Sequence, residues 1–183
     1  METSVTQSVL RSSEIHPRLI DSPLGELLHP ERLLWTPTQL AGLTRTVALE
    51  LGDAISELLH FDADQRWWAR LALTDGIELW VLSWLPGQGT APHDHGGAAG
   101  SFTVLRGELT EEYRYPGGPI RQRTHLAGDG IGFGAGRAHR VTGAGTSPAA
   151  SIHAYSPPLV PTREYASLDD VPAEIPPLPG ILR

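Results

Sequence analysis

Pro92-His93-Asp94-His95-Gly96-Gly97 decides how this 183-residue chain is read. It lies between two segments, 77–85 and 100–106, whose β-branched and aromatic content reads as strand. In extended backbone successive side chains point to opposite faces, so His93 and His95 share a face and Asp94 points away. His139 follows 44 residues after His95, at the head of another predicted strand. Two imidazoles from one strand and a third from another suit a three-histidine metal site. Such a site leaves coordination positions open, which is a catalytic arrangement rather than a structural one.

Outward from this stretch the chain reads as mainly β. Strands are predicted at 67–73 and 77–85, joined by Thr74-Asp75-Gly76, and then at 100–106, 109–115, 122–126, 130–133, 139–142 and 151–155. Turns rich in Gly and Pro separate them, among them Gly117-Gly118-Pro119 and Gly143-Ala144-Gly145. Short strands at this spacing predict a sandwich or barrel. Upstream, Thr36 is an N-cap, Pro37 the first helical residue, and Leu40, Leu43, Val47, Leu51, Ile55 and Leu58 form one apolar helical face. A shorter helix is predicted at 30–34. Pro157, Pro158, Pro161, Pro172, Pro176, Pro177 and Pro179 predict an extended arm over the barrel. We therefore expect one domain: a helical segment over 1–65, a β core over 66–158 and an arm over 159–183.

Composition removes several classes. There is no cysteine, which excludes disulfides, iron–sulfur clusters, thiolate zinc sites and a cysteine nucleophile. A net charge of −7 without a basic run argues against nucleic acid as a partner. No segment approaches the ~20 apolar residues of a membrane helix, and residues 1–13 lack a signal-peptide core. These features predict a cytoplasmic protein, monomeric or weakly homo-oligomeric.

The glycine pattern sharpens the metal reading. Gly87, His93-X-His95 and Gly107, then Gly134-Ala135-Gly136-Arg137-Ala138-His139, resemble the two motifs of the cupin superfamily, a jelly-roll β-barrel with a metal in its mouth. The glutamate usual after the second histidine is missing, since Ala99 and Gly100 stand there, and Gly143 stands where an asparagine is usual. Three neutral imidazoles leave a bound divalent ion at its full charge, which favours an anionic ligand such as a thiolate in the open positions.

Ala138-His139-Arg140-Val141 and Ser151-Ile152-His153-Ala154-Tyr155-Ser156-Pro157-Pro158, taken with His93-Asp94-His95, resemble the cysteine dioxygenase family of thiol dioxygenases. The resemblance runs from about residue 66 to 158. It implies a ferrous ion, Fe(2+), held by His93, His95 and His139, with a small thiol amino acid and O2 as substrates. The implied reaction oxidises L-cysteine to cysteine sulfinic acid. A related thiol such as 3-mercaptopropionate is the near alternative, and a metal-binding cupin without oxygenase activity the distant one. Ser151, His153 and Tyr155 alternate on one strand face, and the resemblance implies a hydrogen-bonded relay ending at the Tyr155 hydroxyl. It also assigns Arg70 to the substrate carboxylate, with Arg66, four residues earlier, as competitor; an arginine there goes with cysteine, a glutamine with 3-mercaptopropionate. Gly100 occupies the place where animal members carry a cysteine crosslinked to the tyrosine, so Tyr155 is expected to stay an unmodified phenol.

Other polar residues are given structural roles. Asp94 is expected to cap loop amides. His125 is expected at the surface, and Glu111-Glu112 at a solvated strand end. Arg140 is expected to pair with a carboxylate, and Trp67, Trp68, Trp80 and Trp84 to pack in the core.

Overall fold

The computed structural model describes residues 13–158 and 161–174. The expectations placed on 1–12, 159–160 and 175–183 lie outside the described residues. In chain order the elements are β1 (Glu14–Ile15), α1 (Leu24–Leu27), α2 (Pro37–Ser56), β2 (Trp68–Leu73), β3 (Glu78–Trp84), β4 (His93–Asp94), β5 (Ala99–Arg106), β6 (Glu108–Arg114), β7 (Arg121–Leu126), β8 (Gly130–Phe133), β9 (Ala138–Gly143), β10 (Ala149–Ser156) and β11 (Arg163–Glu164). They form two antiparallel sheets, ordered β1-β2-β3-β10-β5-β8 and β11-β4-β9-β6-β7.

Helix α2 begins where the sequence places it. The Thr36 side chain accepts from the Gln39 amide, the Gln39 side chain accepts from the Thr36 amide, and Pro37 fills the first helical position. These contacts satisfy donors a helix start would otherwise leave unpaired. Leu40, Leu43, Val47, Leu51 and Ile55 are buried with Leu71, Leu79, Val81, Ile152 and Ala154 on the outer face of the six-stranded sheet. Each Leu, Val or Ile among them stabilises the fold by about 1.5–3 kcal/mol on full burial. One polar link joins the layers: buried Thr44 Oγ1 lies 2.8 Å from Ser101 Oγ and 2.9 Å from Thr103 Oγ1. Gly132 permits the close approach, because a Cβ there would sit 2.0 Å from the Pro37 carbonyl oxygen.

The period-2 alternation of β10 supplies both faces. Ile152 and Ala154 join the helix-side core, while Ser151, His153 and Tyr155 point between the sheets. Between the sheets, Trp84, Phe102, Val104 and Phe133 meet Leu109 and Val141. These residues floor the candidate site.

The eight predicted strands are all present, with ends shifted by no more than two residues. Three two-residue strands, β1, β4 and β11, carry too few residues to show a period. The short helix is α1, at Leu24–Leu27, rather than at 30–34. Trp68 is exposed, edge-on to Trp80, instead of in the core. Beyond Pro158, β11 pairs with β4 and the Tyr165 amide donates to the Pro92 carbonyl. No helix among the described residues is long and apolar enough to cross a membrane.

Candidate metal centre

Strand β4 is two residues long, but its register sets the site. His93 pairs directly with His139 of β9. His95 follows two residues on, where the chain turns through Gly96 and Gly97 at φ of 57° and 111°, values costly for a residue with a Cβ. Asp94 points the other way: its Oδ1 accepts from the Gly96 amide at 2.7 Å and its Oδ2 from the Tyr165 hydroxyl at 2.5 Å. It braces the turn as expected. Burial first, and then that bond to Asp94, push the Tyr165 phenol up to about 12.

One ligand nitrogen from each of His93, His95 and His139 lies within 4.8 Å of the others. The rings meet edge to face at 4.9–5.0 Å between centroids. Two tautomers follow from the neighbours. His93 Nδ1 lies 2.8 Å from the Ala91 carbonyl and must donate, and His139 Nδ1 lies 2.7 Å from Glu111 Oε1. Each leaves Nε2 bearing a lone pair. Both ring nitrogens of buried His95 lack a hydrogen-bond partner. An orphaned buried imidazole beside two others is costly unless a cation takes its lone pair, so this donor set fits a metal ion. Burial, and then the adjacent His139, push His93 down to about 4. Burial and the same neighbours hold His95 well below the ordinary histidine value. Both stay neutral near pH 7, as ligation requires.

Glu111 is the hub behind His139. It is fully buried, and its Oε1 accepts from His139 Nδ1 and from Arg137 Nε at 3.0 Å. Its Oε2 accepts from Arg137 Nη2 at 2.7 Å and from His125 Nε2 at 3.1 Å. Burial alone would raise its carboxyl; the hydrogen bonds from His125, His139 and Arg137 outweigh it and hold the group well below the usual carboxylate range. The Arg137 guanidinium also lies 3.4 Å from the Tyr113 ring centroid. The expectations of a solvated Glu111 and a surface His125 are therefore overturned. Alternation on β6 carries the signal: Leu109, Glu111 and Tyr113 share the inward face, and Glu112 faces out to Arg140.

On the opposite sheet a hydrogen-bonded chain runs along β10. Trp84 Nε1 donates to Ser151 Oγ at 2.9 Å, Ser151 Oγ lies 2.8 Å from His153 Nε2, and His153 Nδ1 lies 3.2 Å from the Tyr155 hydroxyl. An indole nitrogen only donates, so Ser151 Oγ accepts from Trp84, and the roles beyond it follow the His153 tautomer. In the Nδ1-protonated tautomer Ser151 donates to Nε2 and the Tyr155 oxygen accepts, which leaves the Tyr155 proton free. Burial keeps His153 neutral, and burial followed by the nearby Glu78 raises the Tyr155 phenol well above its ordinary value. The Tyr155 ring stacks on His95 at 5.0 Å between centroids, which brings the phenol to the three-histidine cluster. Gly100 makes room here, because a Cβ would lie 2.4 Å from the Phe133 ring and 3.1 Å from Tyr155.

The two arginines separate. Arg70, given the carboxylate role from the sequence, bonds Glu14 Oε2 at 2.8 Å with its side chain 35% exposed. Beside it is a surface hollow formed with Glu14, His16 and Pro17. Arg66 stacks over Trp84 at 4.5 Å from the ring centroid, with Nη1 buried and unpartnered. Arg66, rather than Arg70, is the cation whose field acts on Tyr155, His93 and His153. Strand β2 carries a bulge between Arg70 and Ala72, and a register cannot be counted through a bulge.

Residues 53–167 match the family model for cysteine dioxygenase type I. The chain belongs to that family. Among solved structures it is similar to an uncharacterized conserved protein with a double-stranded β-helix domain from Klebsiella pneumoniae, at 21% identity and TM-score 0.52, over 62% of this chain and 89% of that one. It is also similar to a recombinant oxalate oxidase in complex with glycolate, at 17% identity and TM-score 0.50, over 56% of each chain. At these identities the likeness is one of fold, and the fold is a cupin-type jelly roll. No curated protein matches the chain significantly.

Proposed function

We propose that this chain is an iron-dependent thiol dioxygenase that converts L-cysteine and dioxygen into cysteine sulfinic acid. The observation that carries the reading is the placement of a hydrogen-bond chain, ending at the Tyr155 hydroxyl, against one of three clustered histidines. A ferrous ion on His93, His95 and His139 would supply the redox chemistry and hold the thiol sulfur beside dioxygen. The protein's own part is placement and charge. Ser151 and His153 orient Tyr155, whose free proton would donate to the substrate or to the developing oxygen charge. Arg66, rather than Arg70, would take the substrate carboxylate, since its buried Nη1 is unpartnered and a guanidinium presents a planar fork that stays charged. Glu111 would hold the His139 ring in its ligating tautomer. A chain without cysteine suits the reducing cytoplasm, where free thiols persist.

The test is oxygen uptake after anaerobic reconstitution with ferrous iron, with L-cysteine and 3-mercaptopropionate side by side and products identified by mass. A gain of two oxygens on cysteine is expected. Preference for 3-mercaptopropionate would move the substrate and keep the chemistry. No uptake with either thiol, at one iron per chain, would overturn the reading in favour of a non-oxygenase cupin.

A further inference from the structure

Strand β4 carries His93 and is only two residues long, so its neighbours decide how firmly it is held. On one side it meets β9, through His93 and His139. On the other side β11 supplies the partner: Arg163 stands opposite Asp94, and Glu164 opposite His93. The Tyr165 amide extends this pairing by donating to the Pro92 carbonyl at 2.8 Å. Its side chain reaches the same strand, because the Tyr165 hydroxyl donates to Asp94 Oδ2 at 2.5 Å. Asp94 is fully buried, and its Oδ1 accepts from the Gly96 amide at 2.7 Å. Among the described residues these are the hydrogen bonds on that carboxylate. A buried carboxylate oxygen is costly to leave unpaired, so the hydroxyl and the Gly96 amide fix each other's place through Asp94.

Tyr165 also packs against the cluster of Ala138, Leu168 and Val171, and Ala138 is the residue before His139. This stretch has anchors of its own. Arg114 Nη1 donates to the Leu168 carbonyl at 3.0 Å, and Ser167 caps the turn that follows it. One side chain thus reaches the segments that carry all three histidines. We propose that Tyr165 is a positioning residue for the candidate metal centre: acting through Asp94, its hydroxyl holds His93 and His95 in ligating register, so that docking of 163–171 and metal binding reinforce each other. The inference rests on the metal-binding part of the reading above and is independent of which thiol is bound. Three imidazoles share one ion only when their rings converge. The turn through Gly96 and Gly97 sets the direction of His95, and Asp94 is what braces that turn. By linkage the coupling is reciprocal: what the docked arm adds to metal affinity, bound metal adds to arm docking.

The experiment compares the wild type, Tyr165→Phe and Leu168→Ala as full-length chains. In the metal-free proteins, nitrogen-resolved NMR of the imidazoles follows the His93 and His95 rings. Tyr165→Phe is expected to shift both sets of signals, and Leu168→Ala to leave them in place. Anaerobic ferrous titration is expected to show binding about 10-fold weaker in Tyr165→Phe, the lower end of the range for outer partners of a ligand. Leu168→Ala loosens the same stretch without touching Asp94, and its affinity is expected within about two-fold of wild type. Melting temperatures report that both variants are folded. A third readout needs no variant: ferrous iron is expected to slow amide exchange at Tyr165 of the wild type by a factor similar to the affinity change. Unmoved His93 and His95 signals in folded Tyr165→Phe, unchanged iron affinity, equal losses in the two variants, or an unchanged Tyr165 exchange rate each overturns the proposal. A wild type that takes no iron refutes the metal reading instead, and the metal-free NMR then decides whether Tyr165 places the histidine pair.

Discussion

Glu111 Oε1 accepts a 2.7 Å hydrogen bond from His139 Nδ1, and the same carboxylate is gripped at both oxygens by Arg137. A histidine of the candidate metal centre is thus oriented by a residue 28 positions earlier on the neighbouring strand. Partners of this kind fix ring tautomer and direction, and their loss commonly reduces metal affinity by about 10- to 100-fold.

Glu111→Gln is therefore expected to lower ferrous affinity in that range, measured by anaerobic metal titration. It also leaves the buried Arg137 without its counter-charge, a change that can cost up to about 3–5 kcal/mol and should appear as a lower melting temperature. Glu112→Gln is the control, because Glu112 lies on the outward face and pairs with exposed Arg140. Surface pairs contribute about 0–1 kcal/mol. Equal metal affinity in Glu111→Gln and wild type would refute the orienting role.

Arg66 and Arg70 give opposite expectations. Arg66→Gln is expected to reduce kcat/KM for L-cysteine by about 10- to 100-fold, the range for a lost charged hydrogen bond. Arg70→Gln breaks the half-exposed pair with Glu14 and the contact over the Trp80 ring, both away from the histidine cluster, and is expected to stay within about two-fold. Steady-state oxygen uptake on both variants checks this, and a large loss confined to Arg70→Gln would restore the assignment made from sequence.

Tyr155→Phe removes the proton at the end of the Trp84–Ser151–His153 chain while keeping the ring against His95. Turnover should fall by about 100- to 1,000-fold, the usual cost of one donor aimed at developing charge. Bound iron should stay near one per chain. Full kcat in this variant would reduce the relay to a packing device.

The metal-free protein should lose stability as pH falls. His93 is pushed down to about 4 by burial and by His139, and His95 and His153 are lowered as well. Histidines in the unfolded chain titrate near ~6.5. Between about pH 6.5 and 4 the unfolded state therefore holds more protons, and native stability drops as pH falls through that window. Glu111 adds the same sign lower down: its contribution is present above the ordinary carboxylate value of 4.5 and is lost as pH falls toward its depressed native value. The urea midpoint of chelator-treated protein is expected to be lower at pH 5 than at pH 7.5; an unchanged or higher midpoint would contradict the neutral, buried histidines.

Much of this was legible before any coordinates. Apolar spacing at 3.6 residues marked α2, period-2 alternation and glycine turns marked the eight longer strands, and an H-X-H pair with a distant histidine marked the candidate metal site. Those signals are local: each depends on which face a residue takes within its own element. Glu111 and His125 were misread, and Arg66 was ranked below Arg70, because their surroundings depend on neighbours across strands. The bulge in β2 defeats counting from His93 back to the arginine. The β6–β9 register, pairing Tyr113 with His139 and Glu111 with Val141, is what brings Glu111 diagonally under the ligand.

The amino-acid sequence by itself determined the element types, the jelly-roll class, the three histidines and the Ser151-His153-Tyr155 face, because periodicity and motif spacing are properties of one strand at a time. Only the tertiary structure decided which arginine lies over Trp84 and which carboxylate orients His139. Burial and strand register set those outcomes: neighbouring strands desolvate a charged side chain and decide which partners it meets, and those neighbours come from distant parts of the chain.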